Sequence, residues 1–153
     1  NTDGVPDSDV VSFDAAAAVE GISAALDDED DLHVVAAFTP GTYDLVHVGD
    51  LTRSVYADDE EMRAHFDRIH AYAGIDFSEI GLFVDDLFPV AEGVEYLVTG
   101  LDYLTVVRIY AGREALFVSV DTDVRPATVV DAVREAVAVD LGAAGDSIGV
   151  SGP

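Results

Sequence analysis

Apolar positions recur along the chain with two different periods, and each change of period marks an element. Ala15, Val19, Ile22 and Leu26 fall at i, i+4, i+7 and i+11, the stripe of a helix running from Asp14 to about Leu26 that Ser12 can cap. Gly21 either weakens this helix or lets it pack closely against a neighbour. The run Asp27–Asp31 then breaks it as a solvated loop. His33 to Phe38 is apolar and β-branched, Thr39-Pro40-Gly41 is turn chemistry, and Tyr43 to Val48 predicts the second strand of a hairpin closed by Gly49-Asp50. Asp58–Glu61 sets four acids at a helix start, where they suit its dipole. In that helix Met62, Phe66, Ile69 and Ala73 make the apolar stripe, and Gly74 is expected to stop it. Residues 75–93 mix apolar pairs, acids and Pro89, and predict a short helical turn with a connector. Val94–Leu101, Leu104–Tyr110 and Glu114–Val120 then predict an antiparallel meander, with turns at Asp102-Tyr103 and Ala111-Gly112. A last helix, capped by Thr122 or Asp123 and carrying Pro126 in its first turn, buries Val130, Val133 and Val137.

The expected order is α-β-β-α-β-β-β-α: an α+β domain of five antiparallel strands flanked by three helices. The single domain is expected over residues 12–140, with flexible tails at 1–11 and 141–153. This layout, across about residues 12–138, resembles the Roadblock/LC7 superfamily and more broadly the profilin-like and longin-like sheets. The features that carry the resemblance are a first helix, a hairpin at 33–48, a middle helix at 59–73, a meander at 94–120 and a closing helix after Pro126. It implies a non-enzymatic homodimer that extends one sheet across a two-fold axis and regulates a small GTPase or a complex.

Charge changes the picture of the surroundings more than of the fold. The 153 residues carry 31 Asp+Glu against 7 Lys+Arg, a formal net charge of -24, and every basic residue is Arg. Such a chain lacks the basic surface that nucleic acid or anionic membrane requires. It is nonetheless 50% hydrophobic, so it folds and wears the charge outside. Abundant acids, no Lys and many Ala and Val resemble proteins of salt-in halophiles, the halophilic archaea above all. No apolar run reaches the roughly 20 residues of a membrane span. The first thirty residues have no basic region followed by an apolar one, so no signal peptide is expected and a cytoplasmic location is.

The residue inventory narrows the chemistry. With no Cys, disulfides, thiolate metal sites and Cys nucleophiles are excluded; with no Lys, so are Schiff bases and a phosphate-loop lysine. Gly145-Asp146-Ser147-Ile148-Gly149 spells G-x-S-x-G, but no His follows residue 70 and no strand-to-helix turn is expected there, so hydrolase activity is not. His65 and His70 stand at i and i+5, about 140° apart around the helix, too far to pinch one metal. His33 and His47 lie on the paired strands of the hairpin, where a carboxylate could complete a zinc site only if they were cross-strand neighbours. In Asp27–Asp31 the calcium-loop pattern fails, because Leu32 and Phe38 stand where Gly and a bidentate Glu belong. No catalytic, cofactor-binding or metal residue is therefore assigned.

Arg108 stands inside the apolar run LTVVRIY, where it needs a partner such as Glu95 or Glu114, or serves as an interface anchor. Arg63 is expected to pair with Glu60 and Asp67. The strand Val94–Leu101 is apolar with only Glu95 as a guard, so it is expected at a sheet edge that a second copy covers. The candidate interface is Met62, Phe66, Tyr72, Val94, Tyr96, Leu97, Val98 and Arg108. Two functions follow: a regulatory or scaffolding module, homodimeric, or a ligand-sensing domain of PAS or GAF type. The face of the middle helix separates them. Met62, Phe66 and Ile69 pack against sheet or a two-fold mate in the first, and line a cavity of several hundred Å³ in the second.

Overall fold

The computed structural model describes residues 9–91 and 93–137. Five antiparallel strands form one sheet: β1 (Leu32–Phe38), β2 (Tyr43–Val48), β3 (Tyr96–Gly100), β4 (Thr105–Ala111) and β5 (Glu114–Val120), in the order β2-β1-β5-β4-β3. Helices cover both faces, so the chain is an α+β domain of three layers. The expected flexible tail at 141–153, with its G-x-S-x-G, and residues 1–8 of the other tail lie outside the described residues.

On one face lie α1 (Ala15–Ala25) and α5 (Pro126–Ala136). Val19 and Ile22 of α1 and Val129, Val130 and Val133 of α5 meet Val35, Val107, Leu116 and Val118 of the central strands in the main core. Val11, placed in a loose tail by the sequence, is buried in this core instead. Ser12 does not cap α1: its N–H and hydroxyl both donate to Glu114 Oε1, at 3.0 and 2.8 Å. Asp14 is the cap, accepting from the Ala17 N–H at 3.0 Å. The cap of α5 is Arg125 rather than Thr122 or Asp123, and Pro126 supplies the preset φ of the first turn.

On the other face lie α3 (Asp59–Ala71) and α4 (Ala73–Leu82). Asp58 caps α3 through the Glu61 N–H at 2.8 Å, and Asp59, Glu60 and Glu61 complete an acidic first turn. Met62 and Phe66 are buried against Val34 of β1, with Tyr43, Leu45 and Val48 of β2 and Phe117 of β5 beside them. Gly74 does not end this helix. The turn falls at Tyr72 (φ -91°, ψ -4°), still near helical values, so the chain bends there and runs on as α4. A five-residue π-turn at 83–87 follows. A short α2 (Asp50–Ser54) also stands where only a turn was expected.

The register explains why both faces of the hairpin are apolar. Val35 lies opposite His47 and Ala36 opposite Leu45, so Val46 is an extra residue that bulges β2, and its side chain joins Val35 in the main core. Between β1 and β2 the Thr39 hydroxyl accepts from the N–H groups of Gly41 and Thr42 and fixes the turn. Between β4 and β5 the turn needs a positive φ, and Gly112 supplies it at 70°. As the pattern of the meander predicts, β3 is an edge strand.

Candidate functional site

The second face does not close completely. Between β1, β4 and β5 on one side and α3 and α4 on the other lies a half-open cavity of about 310 Å³. Its walls are apolar and largely aromatic: Phe38 and Phe117 from the sheet, Phe66 and Ile69 from α3, Tyr43 from β2. The alternation of strand residues puts Val106 and Arg108 on this face while Val107 and Ile109 enter the main core.

One charged pair stands in this apolar setting. Arg108 Nη1 donates to Asp76 Oδ2 at 2.5 Å, and Arg108 Nη2 donates to Thr99 Oγ1 at 3.1 Å. The side chains are 22% and 13% exposed, so each ion depends on the other for its partner. The fully buried Tyr110 donates its hydroxyl to the same Oδ2 at 3.1 Å. Burial, then the Asp76 charge, raise the Tyr110 pKa well above that of an ordinary phenol. Arg108 Nε is buried without a hydrogen-bond partner. The expected partners of Arg108 are used elsewhere: Glu95 pairs with Arg134 of α5, and Glu114 accepts from Ser12. Asp76, 32 positions away, takes their place because α4 lays it across the sheet.

His70, at the end of α3, also lines the cavity. Its Nε2 lies 2.8 Å from the Thr39 carbonyl, which can only accept, so Nε2 donates there. The ring is wedged between Phe38 and Tyr43, with centroids 6.4 and 5.1 Å away. Tyr43 in turn donates to Asp67 Oδ1 at 2.6 Å, and Arg63 lies over its ring at 5.8 Å, in place of the expected Arg63 pairs with Glu60 and Asp67. Desolvation and the Asp67 contact raise the Tyr43 pKa.

The residues singled out in the sequence divide among three places. Phe66, Tyr72 and Arg108 line the cavity, with Tyr72 largely exposed at its rim. Met62 is buried under the sheet of its own chain, so neither it nor Phe66 is surface for a second copy. Val94 and Leu97 lean on the small cluster of Phe38, Ile80, Tyr110 and Ala115, while Tyr96 and Val98 of the edge strand are 40% and 42% exposed. His47 faces Val35 rather than His33. Among the described residues no cluster of three His, Asp or Glu could hold a metal ion, and no helix is long and apolar enough to cross a membrane. Asp76, Tyr43, Thr99 and Phe117 were missed. For Asp76 the only signal was the need of Arg108 for a buried acid.

No protein-family model matches the chain, and no curated protein matches it in sequence.

Proposed function

We propose that this domain binds a small molecule between its sheet and α3–α4, as a non-enzymatic sensing module. The observation that carries this reading is the cavity of about 310 Å³ against the apolar face of α3. Its size is at the lower end of the range for ligand sites, and aromatic walls with a few convergent polar groups are their usual lining. Phe66 and Ile69 are shared between packing and lining, which is the arrangement expected of a ligand-sensing sheet. Ile69→Trp, which fills the space, tests it. Naphthalene, an apolar probe, should raise the melting temperature of the native chain and leave that of Ile69→Trp unchanged. Absence of any shift with aromatic probes of this size would reject the reading.

The edge strand favours a second reading, the homodimer that the Roadblock/LC7 layout implies, with a small GTPase or another protein as its further partner. Among the described residues β3 has no strand on its outer side, and the guard Glu95 is tied to Arg134. An apolar edge of that kind invites pairing with a second copy. Val98 points to the face opposite the cavity, since it pairs with Val107, so Val98→Asp tests the edge without touching the ligand site. Light scattering should give twice 16.1 kDa for the native chain and a monomer for the variant. A native monomer at micromolar concentration would remove this reading and leave the first intact.

A further inference from the structure

The polar atoms inside the cavity are more specific than its walls. Of the Asp76 carboxylate, Oδ2 accepts from both Arg108 and Tyr110, while Oδ1 accepts from no residue described. Arg108 spends one N–H of Nη1 on Asp76 and one of Nη2 on Thr99, which leaves a second N–H on each nitrogen. The cavity therefore offers acceptors and donors together, framed by flat aromatic surfaces.

That combination selects by charge. An anion would meet the Asp76 carboxylate and a chain of net charge -24. A cation is drawn by the charge of the chain but finds the one acid of the cavity lining already held by Arg108. Neutral ligands with both hydrogen-bonding senses on one edge satisfy the pair without displacing it. Size selects further. At about 310 Å³ the cavity is at the small end of the range of about 300–1,000 Å³ for ligand sites, which suits a ligand of one or two fused rings.

We infer that the cavity takes a neutral planar heteroaromatic of the size of a purine base, read by the Asp76–Arg108 pair on its donor–acceptor edge. This rests on the ligand-binding reading above. Within it, Asp76 Oδ1 accepts from a ring N–H, the free N–H groups of Arg108 donate to the adjacent carbonyl, and Phe66 and Phe117 supply apolar contact. The same edge occurs in a free base and in the base of a nucleoside.

Calorimetric titration of the full chain with hypoxanthine, its apolar equal in size naphthalene, inosine and benzoate tests the inference. Hypoxanthine should bind about tenfold or more tighter than naphthalene, and benzoate should not bind. Inosine binding as well as hypoxanthine identifies a nucleoside whose sugar occupies the open side; weaker binding identifies the free base. Asp76→Asn should cost hypoxanthine about tenfold while leaving naphthalene within about twofold. If that variant does not fold, Thr99→Val, which frees the Nη2 N–H of Arg108 and keeps the ion pair, should alter hypoxanthine affinity and not naphthalene affinity. Naphthalene binding as tightly as hypoxanthine would overturn this inference and leave the cavity reading standing; no binding by either would overturn both.

Discussion

Tyr110 is wholly buried, yet its hydroxyl faces a carboxylate, and the combination fixes its protonation. The phenol is held neutral because a phenolate there would be desolvated and would lie against Asp76. Its folded pKa is therefore raised above the ordinary value of 10.0, and Tyr43 and Tyr56 are raised by burial in the same direction. The stability these groups contribute is complete below the unfolded pKa and is lost as pH rises from there through the folded values, because only the unfolded chain then releases its protons. Melting temperatures followed from about pH 8 to about pH 11 should fall above about pH 10. Tyr110→Phe should cost about 1 kcal/mol near neutrality for the lost hydrogen bond and show a shallower alkaline fall. Equal slopes for the two proteins would mean that Tyr110 ionises freely. At this scale the sequence was half legible. An Arg in an apolar strand had to be paired, but the partner was set by where α4 crosses the sheet, which no local pattern carries. For His70 the sequence gives only its angle from His65 around the helix, because its contacts, Phe38, Thr39 and Tyr43, belong to the hairpin.

Between elements, α1 and α5 meet at a glycine. A Cβ built on Gly21 would lie 2.7 Å from Ala136 Cβ and 3.2 Å from the Ala132 carbonyl, so the two helices touch through the glycine. Of the two readings open for Gly21, packing is the one this contact explains. Substitution gains helix propensity of up to about 1 kcal/mol but must part the helices, and overpacking costs about 1–3 kcal/mol. Gly21→Val should therefore destabilise by about 2 kcal/mol in urea unfolding. Gly21→Ala should be rescued by Ala136→Gly, giving a favourable coupling energy in the double-mutant cycle. Additive effects of the two would show that the helices part without cost. The hairpin and meander were legible because period-two alternation and turn residues act within a few positions, as at Gly112. The stretch 75–93 was not, because α4 and the π-turn are only partly covered and expose Ile75, Leu82, Leu87 and Phe88. With apolar residues on the outside too, no single stripe marks the buried face.

For the whole molecule, the balance of charge outweighs any single pair. Three of the seven Arg make the ion pairs seen among the described residues, and two others, Arg63 and Arg113, lie over the rings of Tyr43 and Phe77. Against 31 acids in the sequence, seven Arg are too few to pair more than a minority of the carboxylates. Folding gathers them, and the repulsion opposes the compact state. The repulsion is long in range at low salt, where the screening length is about 10 Å at 0.1 M, and falls to contact range at about 3 Å in 1 M. The melting temperature should therefore rise steeply with KCl between about 0.1 and about 1 M, then flatten. Acid offers an independent check, because protonation removes the same charge without adding ions. At Asp31 desolvation, then Asp121 and Asp28, raise the folded pKa above the ordinary value of 3.8. A raised carboxyl pKa means the folded chain holds its proton more readily, so stability is gained as pH falls through the folded value. At low salt, mild acidification toward the isoelectric point near 4.1 should then stabilise the fold, short of precipitation, and the gain should shrink in molar KCl. Circular dichroism melts over a grid of pH and KCl measure both. A melting temperature flat along both axes would show that the surface acids are already too far apart to matter, and would remove the argument for a salt-adapted protein.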